Sequence, residues 1–447
     1  MIAVASLHDL SRAGFDGQIF VPGSDGYDQY RRVWNGLADR RPMAIVRASS
    51  VDDVKRTIGV AAEKDLLLAV RCGGHSLPGL STVDGGIVLD LSAMNAVSID
   101  PLSRTAEVSG GALLGHLDAA ASAQKLVTPA GVISHTGVAG LTLGGGMGWL
   151  SRRFGLTVDN LLGAEVVTAA GRLIWTDAEN EPELFWGLRG GGGNFGVVTR
   201  FKFRMHLLDP IIVGCWSYDP LELESVLPGF ERLSAKAPRE LTTNFSFGAT
   251  YLTITACWSG ALKDADAMVA PFGRLAVPTS GGMGPMEYID LQRRHDEAMP
   301  WGRRYYSKGG FLGRIDKGVI ERMRDVVSTA PTADSDIYVI ALGGAIGDVD
   351  EAGTPYSGRA ANYYWITAAV WDDPQDDARC IEWGRSSYRS LAVISMQGNY
   401  VNEQADSGKD VAFGAYGAEK YARLARIKTK FDPANLFRLN QNIEPAV

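Results

Sequence analysis

Residues 43–48 (MAIVRA) form a short apolar run suited to a buried strand, and Ser50 followed three positions later by Asp53 has the form of a capping box. Val51, Val54, Ile58 and Ala61 then recur at helical spacing to about Glu63, and residues 66–70 (LLLAV) read as a second buried strand. The unit ends in a glycine turn, Arg71-Cys72-Gly73-Gly74-His75-Ser76, of a kind that presents backbone N–H groups to a ligand. Strands are predicted at 87–91, 105–108 and 164–168 and a helix over 112–124. Helix and strand alternate in this way to about His206.

From about Leu208 the texture changes. Residues 244–247, 251–258, 337–342 and 363–371 are rich in aromatic and β-branched side chains, and several alternate apolar with polar. They predict an antiparallel sheet with one face covered, interspersed with helices at 221–233 and 317–327. After about Asp406 the chain returns to helix, over 418–431, which Asp432-Pro433 stops, and it closes on Phe437-Arg438-Leu439-Asn440-Gln441-Asn442. The fold class is α+β, without internal repeats or long linkers.

At 447 residues the chain has length for two or three domains. Its 46% hydrophobic and 21% charged residues are those of a soluble globular protein rather than a disordered or membrane-embedded one. With 44 basic and 51 acidic side chains the net charge is −7, so no general attraction to nucleic acid or anionic lipid is expected, and any bound anion must be gripped locally. The four cysteines, Cys72, Cys215, Cys257 and Cys380, show no CxxC spacing, which argues against a metal site or a disulfide framework. The N-terminus lacks a basic region followed by an apolar run, and no stretch approaches the roughly 18 apolar residues of a membrane helix. The expectation is a soluble, cytoplasmic protein, monomeric or homodimeric.

Glycine is the unusual component, at 53 residues against a common frequency of about 7%. The excess gathers around His75, in HTGVAGLTLGGGMGWL (135–150) and in GLRGGGGNFGVVTRF (187–201), as if one large ligand were wrapped by main chain. GGGNFG at 191–196 fits GxGxxG, but the VVTRFKFRM that follows predicts a strand and not the helix that should receive a pyrophosphate. No GxxxxGK[ST] occurs.

VRCGGHSLPGLSTVDGGIVLDLSAMN, TPAGVISHTGVAGLTLGGGMGWLSRRFGLTVDNLLGAEVVTAAG, ELFWGLRGGGGNFGVVTRFKFRM and FDPANLFRLNQNI occur in that order across nearly the whole chain. Together they resemble the FAD-linked oxidases of the berberine bridge enzyme-like group, which carry the vanillyl-alcohol-oxidase or PCMH-type flavin domain. The resemblance implies an FAD-binding domain over 1–207 (core about 38–207), a substrate domain over 208–405 and a segment over 406–447 that returns to the FAD domain.

Within that resemblance His75 is similar to the histidine bonded covalently to the flavin 8α-methyl carbon, with Arg71 and the N–H groups of Gly73, Gly74 and Ser76 as a nest for the pyrophosphate. Arg71 as an ion-pair residue is the plainer alternative. Cys72 belongs to the same cofactor-binding loop, with its side chain expected to face the core rather than to act in catalysis. Further cofactor contacts are implied at Leu77, Ser92, Pro129, Gly131 and Val132, then at Thr136, Gly137, Gly140 and Val198, and from the tail at Asn440 and Asn442. Some members attach FAD a second time through a cysteine in AGVCxxxGVGG. Ile133 stands at that position here, so a single bond is expected. His135 reads either as a flavin neighbour or as a loop histidine.

Flavin oxidation of an alcohol or amine needs a carbon held near the flavin and a base for the departing proton. Tyr400-Val401-Asn402 matches the family's YxN segment, which makes Tyr400 the candidate base, against the alternative of an ordinary aromatic wall. The acidic position used by some members falls at Ile366. Arg359, Tyr306 and Tyr364 are candidates for the substrate pocket, as are Tyr305, Lys308, Tyr363 and Trp365, any of which could instead be sheet packing. The implied activity is an oxidase passing electrons from a small organic substrate to O2. Its rivals are a dehydrogenase with another acceptor and a redox-silent FAD-binding protein.

Overall fold

The computed structural model describes residues 14–446, so the reading of residues 1–13 as free of an export signal lies outside it. The expected strand and helix at the start are present as Ala44–Arg47 and Val51–Glu63. The capping box forms reciprocally. Ser50 Oγ accepts from Asp53 N at 3.2 Å, and Asp53 Oδ2 accepts from Ser50 N at 3.2 Å, so two of the helix's unpaired N-terminal donors are satisfied. Ala44–Arg47 and Leu68–Arg71 flank Ile87–Asp90 and both run parallel to it, with Gln18–Phe20 added antiparallel at one edge.

A second, antiparallel sheet has the order Val97–Asp100, Thr105–Ser109, Val197–Arg204, Leu161–Val167 and Leu173–Thr176. Its central strand is the VVTRFKFR that follows GGGNFG, which removes the apparent dinucleotide fingerprint for the reason read from the sequence. Helix Pro182–Leu188 and the long helix Lys409–Phe431 pack together beside this sheet. Lys409–Phe431 breaks at Gly417 (φ 71°), so its second half begins at the predicted residue 418.

The third sheet has seven antiparallel strands, ordered Ser280–Met286, Ile211–Tyr218, Leu252–Trp258, Leu241–Gly248, Asp336–Ala341, Tyr363–Trp371 and Arg304–Leu312. Helices Leu223–Ser234, Lys317–Val327 and Asp377–Ala392 cover one face, where Ile337, Val339, Tyr363, Trp365 and Trp371 join Phe230 and Trp383 in the largest apolar cluster. Strand side chains alternate between faces. The other members of the same strands, including Asp336, Tyr338, Ile366, Ala368, Tyr305 and Ser307, therefore point toward the glycine-rich half of the chain.

The tail is tied back by a fully buried lysine. Lys428 Nζ donates to Asn194 O at 2.8 Å, Asp432 Oδ2 at 2.7 Å and Phe437 O at 2.9 Å, using all three protons. Asn194 in turn donates to Gln441 O and accepts from Ile443 N. No helix among the described residues is long and apolar enough to cross a membrane.

Candidate functional site

Between the glycine-rich half and the uncovered face of the seven-stranded sheet lies a cavity of about 480 Å³. Its wall takes in residues 72–78, 131–133, 136–137, 139–141, 192–193 and 196–198, the sheet face, residues 400–403 and the tail at 439–441. Two glycines set its back. A Cβ on Gly73 would fall 2.2 Å from Gly137 N, and one on Gly137 2.4 Å from Gly73 N, so only glycine lets the two loops touch. The Cys72 thiol donates to Ala112 O at 3.4 Å and packs against the apolar cluster beneath, and burial lifts its pKa to about 11, well away from a reactive thiolate.

His75 stands in an aromatic slot. Trp34 stacks on its ring at 4.8 Å and on Tyr305 at 3.9 Å. Its Nε2 lies 2.7 Å from His135 Nδ1. Burial first, and the neighbouring imidazole second, push the His75 pKa down to about 3, so the ring is neutral at physiological pH. Arg71 does not reach the cavity. It is buried under the strand end, bonded to Tyr30 O and 3.6 Å from the buried Asp90 carboxylate, so its observed role is the ion pair.

Tyr400 is 3% exposed, and its phenol oxygen accepts from Gly146 N at 3.1 Å and Asn402 Nδ2 at 2.9 Å. These two donors favour a phenolate, yet burial outweighs them and the phenol is pushed up from its usual range. Glu403, three residues on, also lines the cavity, as does Asp336.

The cavity brings together Cys72, Gly73, Gly74, His75, Ser76, Leu77, Gly131, Val132, Thr136, Gly137, Gly140, Val198, Asn440 and Tyr400. Other expected site residues lie outside it. Tyr306 occupies the opposite parity from Tyr305, so it faces the helices and donates to Asp406 Oδ2 at 2.8 Å. Lys308, Tyr363 and Trp365 turn away for the same reason. Tyr364 sits behind Tyr400, edge-on at 6.0 Å, and donates to Asn399. Arg359 is clamped bidentately by Asp159 at 2.7 and 2.8 Å and is not part of the cavity lining. Ser92 binds Arg47, Pro129 gives its carbonyl to Thr157, and Asn442 lies just past the lining.

Comparison with known proteins agrees with this geometry. Residues 42–177 match the FAD binding domain model and residues 399–444 the model described as berberine and berberine like. An FAD-linked oxidoreductase of Dictyostelium discoideum is 31% identical over 96% of this chain and 95% of its own. The chain belongs to the berberine bridge enzyme-like family of FAD-linked oxidoreductases. The family's (R)-6-hydroxynicotine oxidase of Paenarthrobacter nicotinovorans is 29% identical over 96% of this chain and 97% of its own. The crystal structure of 6-hydroxy-D-nicotine oxidase from Arthrobacter nicotinovorans superposes with a TM-score of 0.89 at 27% identity, covering 97% of this chain and 98% of that one.

The residues present fit the FAD that this family binds. Asn440 and Gln441 use their amide N–H groups inward, on Phe437 O and Asp406 O, and leave both side-chain oxygens without a partner at the cavity wall. A Cβ at Gly140 or Gly193 would meet nothing within 4 Å, so main chain is open to a ligand there.

Trp34, Tyr305, Tyr338, Asp336 and Glu403 were not read from the sequence as site residues beyond Tyr305's place among several tyrosines. Strand parity would have separated Tyr305 from Tyr306. Nothing local marks the others.

Proposed function

We propose that this protein is an oxidase that removes a hydride from a carbon bearing an alcohol or amine and passes the electrons to O2, releasing hydrogen peroxide, with FAD attached through His75 alone. Bound FAD supplies the hydride acceptor and the route to O2. The observation that carries the reading is His75, its Nε2 2.7 Å from His135 Nδ1, in the same cavity as Tyr400. In the tautomer where His75 Nε2–H donates to His135 Nδ1, the lone pair of His75 Nδ1 is free to form the bond to the flavin. Ile133 lines the cavity where a second, cysteinyl bond would otherwise form.

Tyr400 would take the substrate proton. Because burial favours the protonated phenol, Tyr400 must first lose its own proton to solvent; the phenolate, held by Gly146 N–H and Asn402 Nδ2–H, then accepts the substrate proton as the hydride leaves. Acid denaturation of the purified protein tests the attachment. Yellow, fluorescent flavin should stay with the polypeptide and be lost from it in His75→Ala. Flavin wholly in the supernatant of the unmutated protein would sink the covalent assignment.

A further inference from the structure

The ionisable groups on the cavity wall are nearly all of one sign. Among the described residues its lining includes Glu403 and Asp336 but no lysine or arginine, and burial pushes its two histidines, His75 and His295, down toward the neutral form. Glu403 ends the short turn Val401–Glu403. Its carboxylate has one long partner, Ser307 Oγ at 3.5 Å, and the ionisable groups facing it are the phenols of Tyr338, Tyr364 and Tyr400. Ser307, Ala368 and Asp336 are cross-strand neighbours in one row. At about 4.8 Å between strands, the second acid stands roughly 10 Å away along that row. Asp336 is already served by Tyr251, which donates to it at 3.0 Å. The floor between is apolar, Ile366 and Ala368.

A carboxylate removed from water is costly unless a cation or several donors compensate it. Glu403 has neither. Burial lifts its pKa to about 7, so roughly half of it is charged near neutrality, with only the long Ser307 contact to hold the charge. A ligand bringing its own positive charge would complete the site, whereas an alcohol would leave the acid uncompensated.

Resting on the oxidase reading above, we propose that the substrate is a basic amine bound as its ammonium ion, and that Glu403 receives the ammonium proton. An N–H bond breaks toward the carboxylate, which becomes a carboxylic acid. The freed nitrogen lone pair forms the C=N bond as the adjacent C–H bond breaks and hydrogen leaves with both electrons for the flavin. The amine is oxidised by two electrons to an iminium ion, the flavin is reduced by two, and O2 takes them up. With an amine, Glu403 takes the proton that Tyr400 would take from an alcohol, and Tyr400 serves to orient the substrate.

Calorimetric titration of the purified holoprotein with benzylamine and with benzyl alcohol, near-isosteres differing in charge, tests this. Benzylamine should bind roughly tenfold to a hundredfold more tightly. The preference should grow between about pH 6 and 8 as Glu403 ionises. Glu403→Gln should abolish most of it and Asp336→Asn much less, with unchanged melting temperatures to show that both variants fold. Equal affinities, binding of neither probe, or a preference that survives Glu403→Gln would overturn the proposal. Anaerobic bleaching of the flavin by benzyl alcohol with no charge preference would remove the amine assignment and leave the oxidase reading intact. Charge-selective binding in a protein whose flavin no probe reduces would instead remove the oxidase reading.

Discussion

His75 Nε2 and His135 Nδ1 lie 2.7 Å apart, and the far nitrogen of His135 is buried without a partner. One proton can bridge the two facing nitrogens, and the Asp296 carboxylate lies on the His135 side of the pair. Ser134, next in the chain, is held by Asp296 through its backbone N–H at 2.8 Å, which fixes the loop carrying His135.

His135→Ala should lower the fraction of covalently attached flavin several-fold while FAD still binds, because His75 loses the partner that sets its tautomer. In-gel flavin fluorescence of the denatured protein against total flavin absorbance measures this. Unchanged fluorescence per polypeptide would show that the pair is structural only.

Tyr400→Phe removes the oxygen that Gly146 and Asn402 address. If Tyr400 is the proton acceptor, the rate of anaerobic flavin reduction should fall by about 10²–10⁴ with little change in substrate affinity. If Glu403 takes the proton, the loss should be well below tenfold and Glu403→Gln should show the larger effect. Stopped-flow reduction of the two variants decides between them.

Asp159→Asn leaves the Arg359 guanidinium buried with half its clamp. Breaking such a pair costs about 3–5 kcal/mol, so the midpoint of chemical denaturation should fall sharply. The Michaelis constant of the protein that remains folded should not change. A raised Michaelis constant with normal stability would return Arg359 to the substrate site.

His206 stacks on Phe154 at 4.1 Å and contacts Asn160 Oδ1 at 2.6 Å, and burial pushes its pKa down to about 4. In the unfolded chain a histidine titrates near 6.5. Between these values the unfolded state binds a proton that the folded state does not, so stability falls as pH drops from about 6.5 toward 4. Replacing His206 with Gln should make the melting temperature less pH-dependent across that window and leave it parallel to the unmutated protein above pH 7.

Much of the architecture is visible in local pattern. The run 363–371 is strand over its whole predicted length, and Lys317–Val327 is helix over the residues its periodicity marks. Ser280–Met286 (SGGMGPM) has no strand signal in its own residues and is extended because Ile211–Tyr218 offers it a free edge. Val97–Asp100 (VSID) is too short and too exposed to stand out. The glycine loops of the site were legible because contact between main chains selects one residue type. The two cavity acids were not, since Asp336 and Glu403 belong to segments that only the sheet brings to one wall. Tyr305 and Tyr306 differ by a single step of parity, which two adjacent tyrosines cannot reveal. Asp159 and Arg359 meet across 200 positions of sequence.

The Lys428 knot bears on when the cofactor can be loaded. Its three acceptors come from the glycine loop at Asn194 and from the tail at Asp432 and Phe437, and the cavity wall at Asn440 and Gln441 follows directly after. During synthesis the glycine-rich half emerges first, but its cavity stays unwalled until residues 437–441 have left the ribosome. A closed binding site therefore requires the tail, and a chain shortened before Phe437 would hold an ammonium group with no full set of acceptors and a binding site with one side missing.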